Sequence, residues 1–337
     1  MSTLHRMIAG AAGLTAAVIL RRWISQEAFP LRGKRVLITG ASRGLGFVLA
    51  RQALAKGAAV AICGRDRETV DRAQQLLEAD GLAFARQCDI TDQERVADFV
   101  DAVTDRFGGI DVLINNAGVI SVGPIETMTL ADFESAMKTH FWGHVFTTLA
   151  VLPQMKRRRA GRIVNISSIG GVIGIPHLVP YCASKFALTG FSEALCSELA
   201  EDNIRVTTVI PGLMRTGSPP HADFKGQHEA EHAWFTISDS LPGASIGVER
   251  AARQIWSACR RGDPNLVISL PAKLAAAAHG VMPGTTACVL AAVHRTLPGP
   301  GDGDTRAQKG RDSTSAWAPS ILTTLTEEAA ERTNQLP

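Results

Sequence analysis

A chain of 337 residues is long enough to bury one large core and still carry appendages. Its 35 basic and 32 acidic residues leave a net charge of +3, and no long basic run with interleaved aromatics occurs, which argues against a nucleic-acid partner. The 6 cysteines are scattered without short paired spacings, which excludes a disulfide frame or zinc site and suits reduced, buried thiols in a cytosol-facing protein.

In chain order, the first element is the uncharged stretch "MIAGAAGLTAAVIL", Met7 to Leu20, followed by Arg21 and Arg22. It is shorter than the ~20 residues of a full span, but Trp23 and Ile24 extend it at an interface. No clear small-residue cleavage site follows, and its positive charge sits mainly on the wrong side for a signal peptide. Residues 1–32 are therefore expected to form a membrane anchor or surface helix, with the arginines holding the next domain in the cytoplasm. A helix packed on that domain is the alternative.

From Arg35 onward, short β-branched runs alternate with amphipathic stretches. "RVLITG", "AVAIC", "AFARQCD", "DVLINNAG", "GRIVNISS", "IRVTTVIPG" and "NLVIS" read as seven strands, and Leu45 to Lys56, Arg67 to Ala79 and Gln93 to Phe107 read as helices between them. This rhythm predicts an α/β fold over residues 33–270, a doubly wound, Rossmann-type parallel sheet of seven strands with helices on both faces. After "IPGLMRTG", the polar "SPPHADFKGQHEAEHAWF" reads as a mobile lid or binding loop. Residues 271–297 form a second apolar stretch, but His279, Pro283 and Gly284 break it into two short helices packed on the domain or against lipid. The tail, residues 298–337, opens with "PGPGDGD" and reads as flexible, with a short helix over Leu322 to Arg332.

Chemistry is concentrated at the strand ends. "ITGASRGLG" sets Gly40, Ser42, Arg43, Gly44, Leu45 and Gly46 between the first strand and the first helix, where glycines let backbone amides approach an anion at the helix's positive end. That context makes a dinucleotide site. After the second strand, "CGRD" has Gly64 where an acid would bind ribose hydroxyls, then Arg65, which with Arg43 can bind a 2′-phosphate; the cofactor reads as NADP rather than NAD. Asp66 is expected to cap the next helix instead. In "PYCASKFAL", Tyr181 and Lys185 stand four apart, so they share one helical face. An ammonium beside a phenol, which ordinarily ionises near pH ~10, favours the phenolate and is expected to make Tyr181 acidic enough for proton exchange near neutrality.

With "TGASRGLG", "NNAG", "NISS", the Tyr181/Lys185 pair and "PGLMRT" in this order, the chain resembles the short-chain dehydrogenase/reductase family from about Lys34 to Leu270. The resemblance implies that Asp89 contacts adenine, that Asn116, Ala117 and Gly118 flank the cofactor, and that Pro211, Gly212 and Thr216 lie beside the nicotinamide. It makes Ser168, Tyr181 and Lys185 the catalytic set. The tyrosine exchanges a proton with the substrate oxygen, the serine holds that oxygen, and the lysine binds the nicotinamide ribose. His140 stands where the family usually has asparagine, and either preserves the proton path or packs and bonds a backbone group. His177, on a loop near the site, is expected to be solvated. A homodimer or tetramer is also implied. The amino-terminal stretch, the greasy extension and "GVIGIPHLVP" beside Ser168 point to an apolar substrate, a lipid-, retinoid- or steroid-like alcohol, ketone or aldehyde. A dinucleotide-binding sensor or scaffold with weakened turnover is the rival reading.

Overall fold

Val36, Leu37 and Ile38 are all fully buried although successive side chains on a strand point to opposite faces, so the sheet must be covered on both sides. The computed structural model describes residues 29–241, 243–320 and 323–335, and shows that arrangement. The expected stretch at Met7 to Leu20 lies outside the described residues. Seven parallel strands, β1 (Arg35–Thr39), β2 (Ala59–Gly64), β3 (Ala83–Gln87), β4 (Val112–Asn115), β5 (Gly161–Ile166), β6 (Ile204–Pro211) and β7 (Asn265–Ile268), lie in the order β7-β6-β5-β4-β1-β2-β3. β1 pairs with β2 from Arg35 opposite Ala59 to Thr39 opposite Cys63, and with β4 on its other side. Strand order reverses at the β1/β4 pair, and the loops leaving their carboxyl ends diverge to open a crevice.

The helices between the strands are α1 (Gly44–Leu54), α2 (Arg67–Glu78), α3 (Gln93–Phe107), α4 (Leu130–Met137), α5 (Gly143–Arg158), α6 (Val179–Glu198), α7 (His228–Ser240) and α8 (Val248–Arg261). Leu37, Ala61, Cys63, Leu113, Ile163 and Val206 from the strands form one buried cluster with Val96, Phe99 and Val103 of α3 and Val151 and Met155 of α5. Each large apolar side chain among them stabilises the fold by roughly 1.5–3 kcal/mol relative to exposure. On the other face α1 packs along α8, and Trp256 donates its indole N–H to the Leu49 carbonyl at 3.2 Å. Local capping agrees with the sequence. Asp66 accepts from Thr69 N at 2.8 Å to cap α2, and Asp92 accepts from two amides of α3.

Two stretches differ from their sequence reading. The supposed lid contains α7, whose periodicity is masked because Glu231, His232 and Asp239 are polar residues turned inward and buried. The stretch from Pro298 is not a free tail either: Leu31–Pro337 is one compact unit, and α11 (Thr324–Arg332) buries Thr326, Ala329 and Ala330. Before it, α9 (Leu270–Val281) and α10 (Pro283–His294) form the two short helices expected from the proline and glycine breaks. Among the described residues no helix is long and apolar enough to cross a membrane. All six cysteines are free thiols, as their spacing suggested, although Cys288 on α10 is exposed rather than buried.

Candidate active site

The glycine loop sits against the end of β4. Gly40 has φ +60°, and a Cβ there would come within 2.6 Å of Ala117 Cα, so only glycine allows the loop this path. Asn116 locks the two loops together, its backbone N–H donating to Thr39 Oγ1 at 3.0 Å and its side-chain amide to the Gly40 carbonyl at 2.9 Å. A Cβ on Gly46 would meet Asn116 Nδ2 at 2.6 Å and Ala41 Cα at 2.7 Å, so this glycine serves the close approach of α1 to the loop that precedes it.

The catalytic candidates come from β5 and α6. β5 ends at Ile166, and Ser168 follows in extended conformation with its hydroxyl accepting from Gly170 N at 3.1 Å. Gly171 lets this turn rest on α6, since a Cβ would stand 2.7 Å from the Lys185 carbonyl. Pro180 occupies the first turn of α6, where its missing N–H costs nothing, and directs Tyr181 and Lys185 inward. Lys185 Nζ lies 5.7 Å from the centre of the Tyr181 ring and donates to the Ile166 carbonyl at 2.8 Å.

Burial dominates the electrostatics of this pair. It pushes the Tyr181 phenol up to about 12, while the Ser168 hydroxyl, within hydrogen-bonding reach, pulls the other way, and it brings the Lys185 ammonium down to about 7. The acidification of Tyr181 expected from the spacing is therefore not supplied by the protein's own groups: burial outweighs the Ser168 hydrogen bond at the phenol and brings the ammonium down as well.

His140 occupies a π turn, Lys138–Trp142, between α4 and α5. Its Nε2 accepts from Val119 N at 3.1 Å, so its proton sits on Nδ1 and is donated to Ser184 Oγ at 2.7 Å; Ser184 in turn donates to the Tyr181 carbonyl at 2.8 Å. Burial and the nearby Lys185 charge keep it neutral. Both ring nitrogens are committed, so of the two readings of His140 the geometry gives the second: it ties the segment after β4 to the helix that carries Tyr181. His177 is not solvated. It is buried, with Nδ1 2.7 Å from Glu231 Oε1, and Glu231 also accepts from Trp234 Nε1 at 2.6 Å.

Gly40, Arg43, Gly44, Leu45, Arg65, Asn116, Gly118, Ser168, Tyr181, Lys185, Pro211, Gly212 and Thr216 line one cleft of about 350 Å³. Ser42, Asp89 and Ala117 line an adjoining cavity of about 180 Å³ that shares Arg43 and Arg65 with it. Of the expected set, only Gly46 reaches neither. A third cavity, of about 190 Å³, meets the cleft at Ser168 and Tyr181 and is walled mainly by Ile120, Ile169, Ile175, Leu178, Leu213 and Phe235. The donor set suits a dinucleotide: a glycine cradle a Cβ would fill, hydroxyl and ammonium groups at one end, and cations at the other. The cations outnumber their acids. Arg43 is held below its usual value by burial, and by Arg65, Arg311 and Arg72, with Asp66 the opposing charge. Gly64 is more than a missing acid, because a Cβ there would come 2.9 Å from Ser42 Oγ and 3.0 Å from Val70.

The carboxy-terminal segment reaches the same loop. Gly44 N donates to the Thr333 carbonyl at 2.8 Å, Asn334 Nδ2 to the Ser42 carbonyl at 2.7 Å, and Gln335 Nε2 to the Thr216 carbonyl at 3.0 Å. Arg72 Nε donates to Asn334 Oδ1 at 2.7 Å. Sequence reasoning missed Arg72, Arg311 and these tail residues, since nothing in their local pattern marks a contact made across more than a hundred positions.

A parallel sheet with its cleft at the strand ends, and a Ser/Tyr/Lys cluster facing a glycine cradle, defines an NAD(P)-dependent dehydrogenase/reductase acting on CH–OH groups. The short chain dehydrogenase family model matches residues 34–222. The chain is 32% identical to dehydrogenase/reductase SDR family member 7B from Bos taurus over 272 residues, 79% of this chain and 82% of that one. It is 38% identical to a 3-ketodihydrosphingosine reductase from Bacteroides thetaiotaomicron over 198 residues, 58% of this chain and 70% of the relative. A solved short-chain dehydrogenase from Streptomyces avermitilis superposes with a TM-score of 0.66 at 32% identity, covering 78% of this chain and 99% of its own. The chain belongs to the short-chain dehydrogenase/reductase family.

Proposed function

We propose that the protein is an NADP(H)-dependent oxidoreductase that interconverts an apolar alcohol with its ketone or aldehyde at a lipid surface. The observation that carries the reading is the convergence of Ser168, Tyr181 and Lys185 where the cofactor cleft meets an apolar cavity. Ser168 donates a hydrogen bond to the substrate oxygen, and Tyr181 gives its hydroxyl proton to that oxygen in reduction or accepts one in oxidation. The nicotinamide, once bound there, would supply the hydride for reduction of the carbonyl carbon or take it up in oxidation of the carbinol. Burial keeps the phenol protonated at neutral pH, the form that reduction requires. Lys185 binds the nicotinamide ribose, and Thr216 faces the same end.

Support for NADP comes from the cations around Arg43 and from the lack of room for an acid at Gly64. The apolar walls of the third cavity support the substrate class, and the exposed leucines and valines of α9 and α10 support a lipid surface. The test is cofactor oxidation with medium-chain ketones and aldehydes. NADPH should be preferred over NADH, and Arg65→Asp should lower that preference roughly tenfold or more, since it removes a charge-assisted contact. Equal use of both cofactors, or selectivity unmoved by the substitution, would refute the NADP assignment.

A further inference from the structure

The apolar cavity contains one group that the chemistry above does not use. Phe235 and Asp239 are one turn apart on α7 and both line it, as do Ser168 and Tyr181. Asp239 is 6% exposed, and among the described residues its carboxyl makes no hydrogen bond or ion pair. Its charge is felt by the Tyr181 phenol, which lines the same cavity. Burial pushes its carboxyl up to about 7.

A buried carboxyl without a partner is costly, and an apolar side chain of similar volume would complete the wall without that cost. Of the cavity's other polar side chains, Ser168 and Tyr181 are occupied by the substrate oxygen in the proposed reaction, on which this inference rests, and Thr216 and Ser218 are neutral hydroxyls shared with the cofactor cleft. We propose that Asp239 is the recognition point for a hydrogen-bond donor, a hydroxyl or an amine, carried by an otherwise apolar substrate near its carbonyl or carbinol carbon. A donor there satisfies the carboxyl and fixes which face of the substrate carbon meets the cofactor. A substrate lacking it leaves the carboxyl unpaired, which makes the group a filter as well as a handle.

The experiment compares matched medium-chain ketones bearing no donor, a hydroxyl or an amine on a carbon near the carbonyl. NADPH oxidation and ligand-induced melting shifts are measured for the wild type, Asp239→Asn and Asp239→Leu. The wild type should favour donor-bearing ketones over the plain one by roughly ten- to a hundredfold in kcat/KM, mostly through KM. Asp239→Leu should bring that ratio to about one, while Asp239→Asn, which still accepts a hydrogen bond but carries no charge, keeps the hydroxyl preference and loses the amine preference. Asp239→Leu removes an unpaired buried carboxyl and should melt no lower than the wild type, so a lost ratio is not a lost fold. A wild-type ratio near one, or a ratio that survives Asp239→Leu, overturns the proposal. Donor-dependent melting shifts that vanish in Asp239→Leu without any turnover would sustain it while refuting the oxidoreductase reading; turnover without donor preference would do the reverse.

Discussion

At the scale of single residues, spacing and environment pull against each other. Tyr181 and Lys185 were legible in the sequence because a four-residue interval on a helix fixes their shared face, but their ionisation was not, because desolvation depends on everything packed around them. Lys185 is brought from 10.5 to about 7 in the fold. Between those values the unfolded chain holds a proton that the folded one has released, so stability rises with pH. The Tyr181 shift is upward and opposes this only above its ordinary value of 10.0, where the unfolded phenol ionises first and stability falls with pH. Relative to Lys185→Met, the wild type should therefore gain on the order of a few kcal/mol from pH ~7 to ~10, read by denaturant melts. A difference that stays flat across that window would mean the ammonium is well solvated. Asp239 shows the limit of motif reading from the other side: it shares a cavity wall with Tyr181, and no local pattern records that.

At the scale of elements, most of the seven strands were legible as short β-branched runs bounded by turn residues, whereas β3 (AFARQ) has no β-branched residue and a half-exposed face and was legible only from its place in the alternation of strands and helices. α7 was not, since its inward face carries His232, Glu231 and Asp239 in place of an apolar stripe. The α9–α10 pair is the reverse case, two apolar helices that bury little. Leu270 is 68% exposed and Val281 79%, with Leu274, Met282 and Val289 also outside. In the function proposed above this apolar surface, with Lys273 and Arg295 near its two ends, would meet an anionic bilayer. In flotation with anionic vesicles, the full chain should bind, and Leu274→Glu with Val281→Glu should reduce that binding several-fold. Equal flotation of the two proteins would remove α9 and α10 from any membrane role.

At the scale of the whole molecule, the last described residues close back on the first loop of the sheet. Thr333, Asn334 and Gln335 bond to Gly44, Ser42 and Thr216, and Ser240 Oγ donates to Thr326 Oγ1 at 2.7 Å, so α7 and α11 are joined as well. Composition suggested flexibility here because "PGPGDGD" is a linker by any local measure, yet the chain beyond it is held by non-local contacts. Truncation after Ser320 removes several buried hydrogen bonds at about 1 kcal/mol each and should lower Tm by roughly 5–10 °C; an unchanged Tm would show that the segment contributes nothing to the fold. The joined parts serve one arrangement, a cleft whose cofactor end and proton-donating end are fixed relative to each other. The most direct test is single-turnover reduction of an apolar ketone by NADPH in Tyr181→Phe. The account predicts NADPH binding and Tm close to wild type, with the turnover rate reduced by roughly a hundredfold or more. Turnover at the wild-type rate in that variant would contradict it.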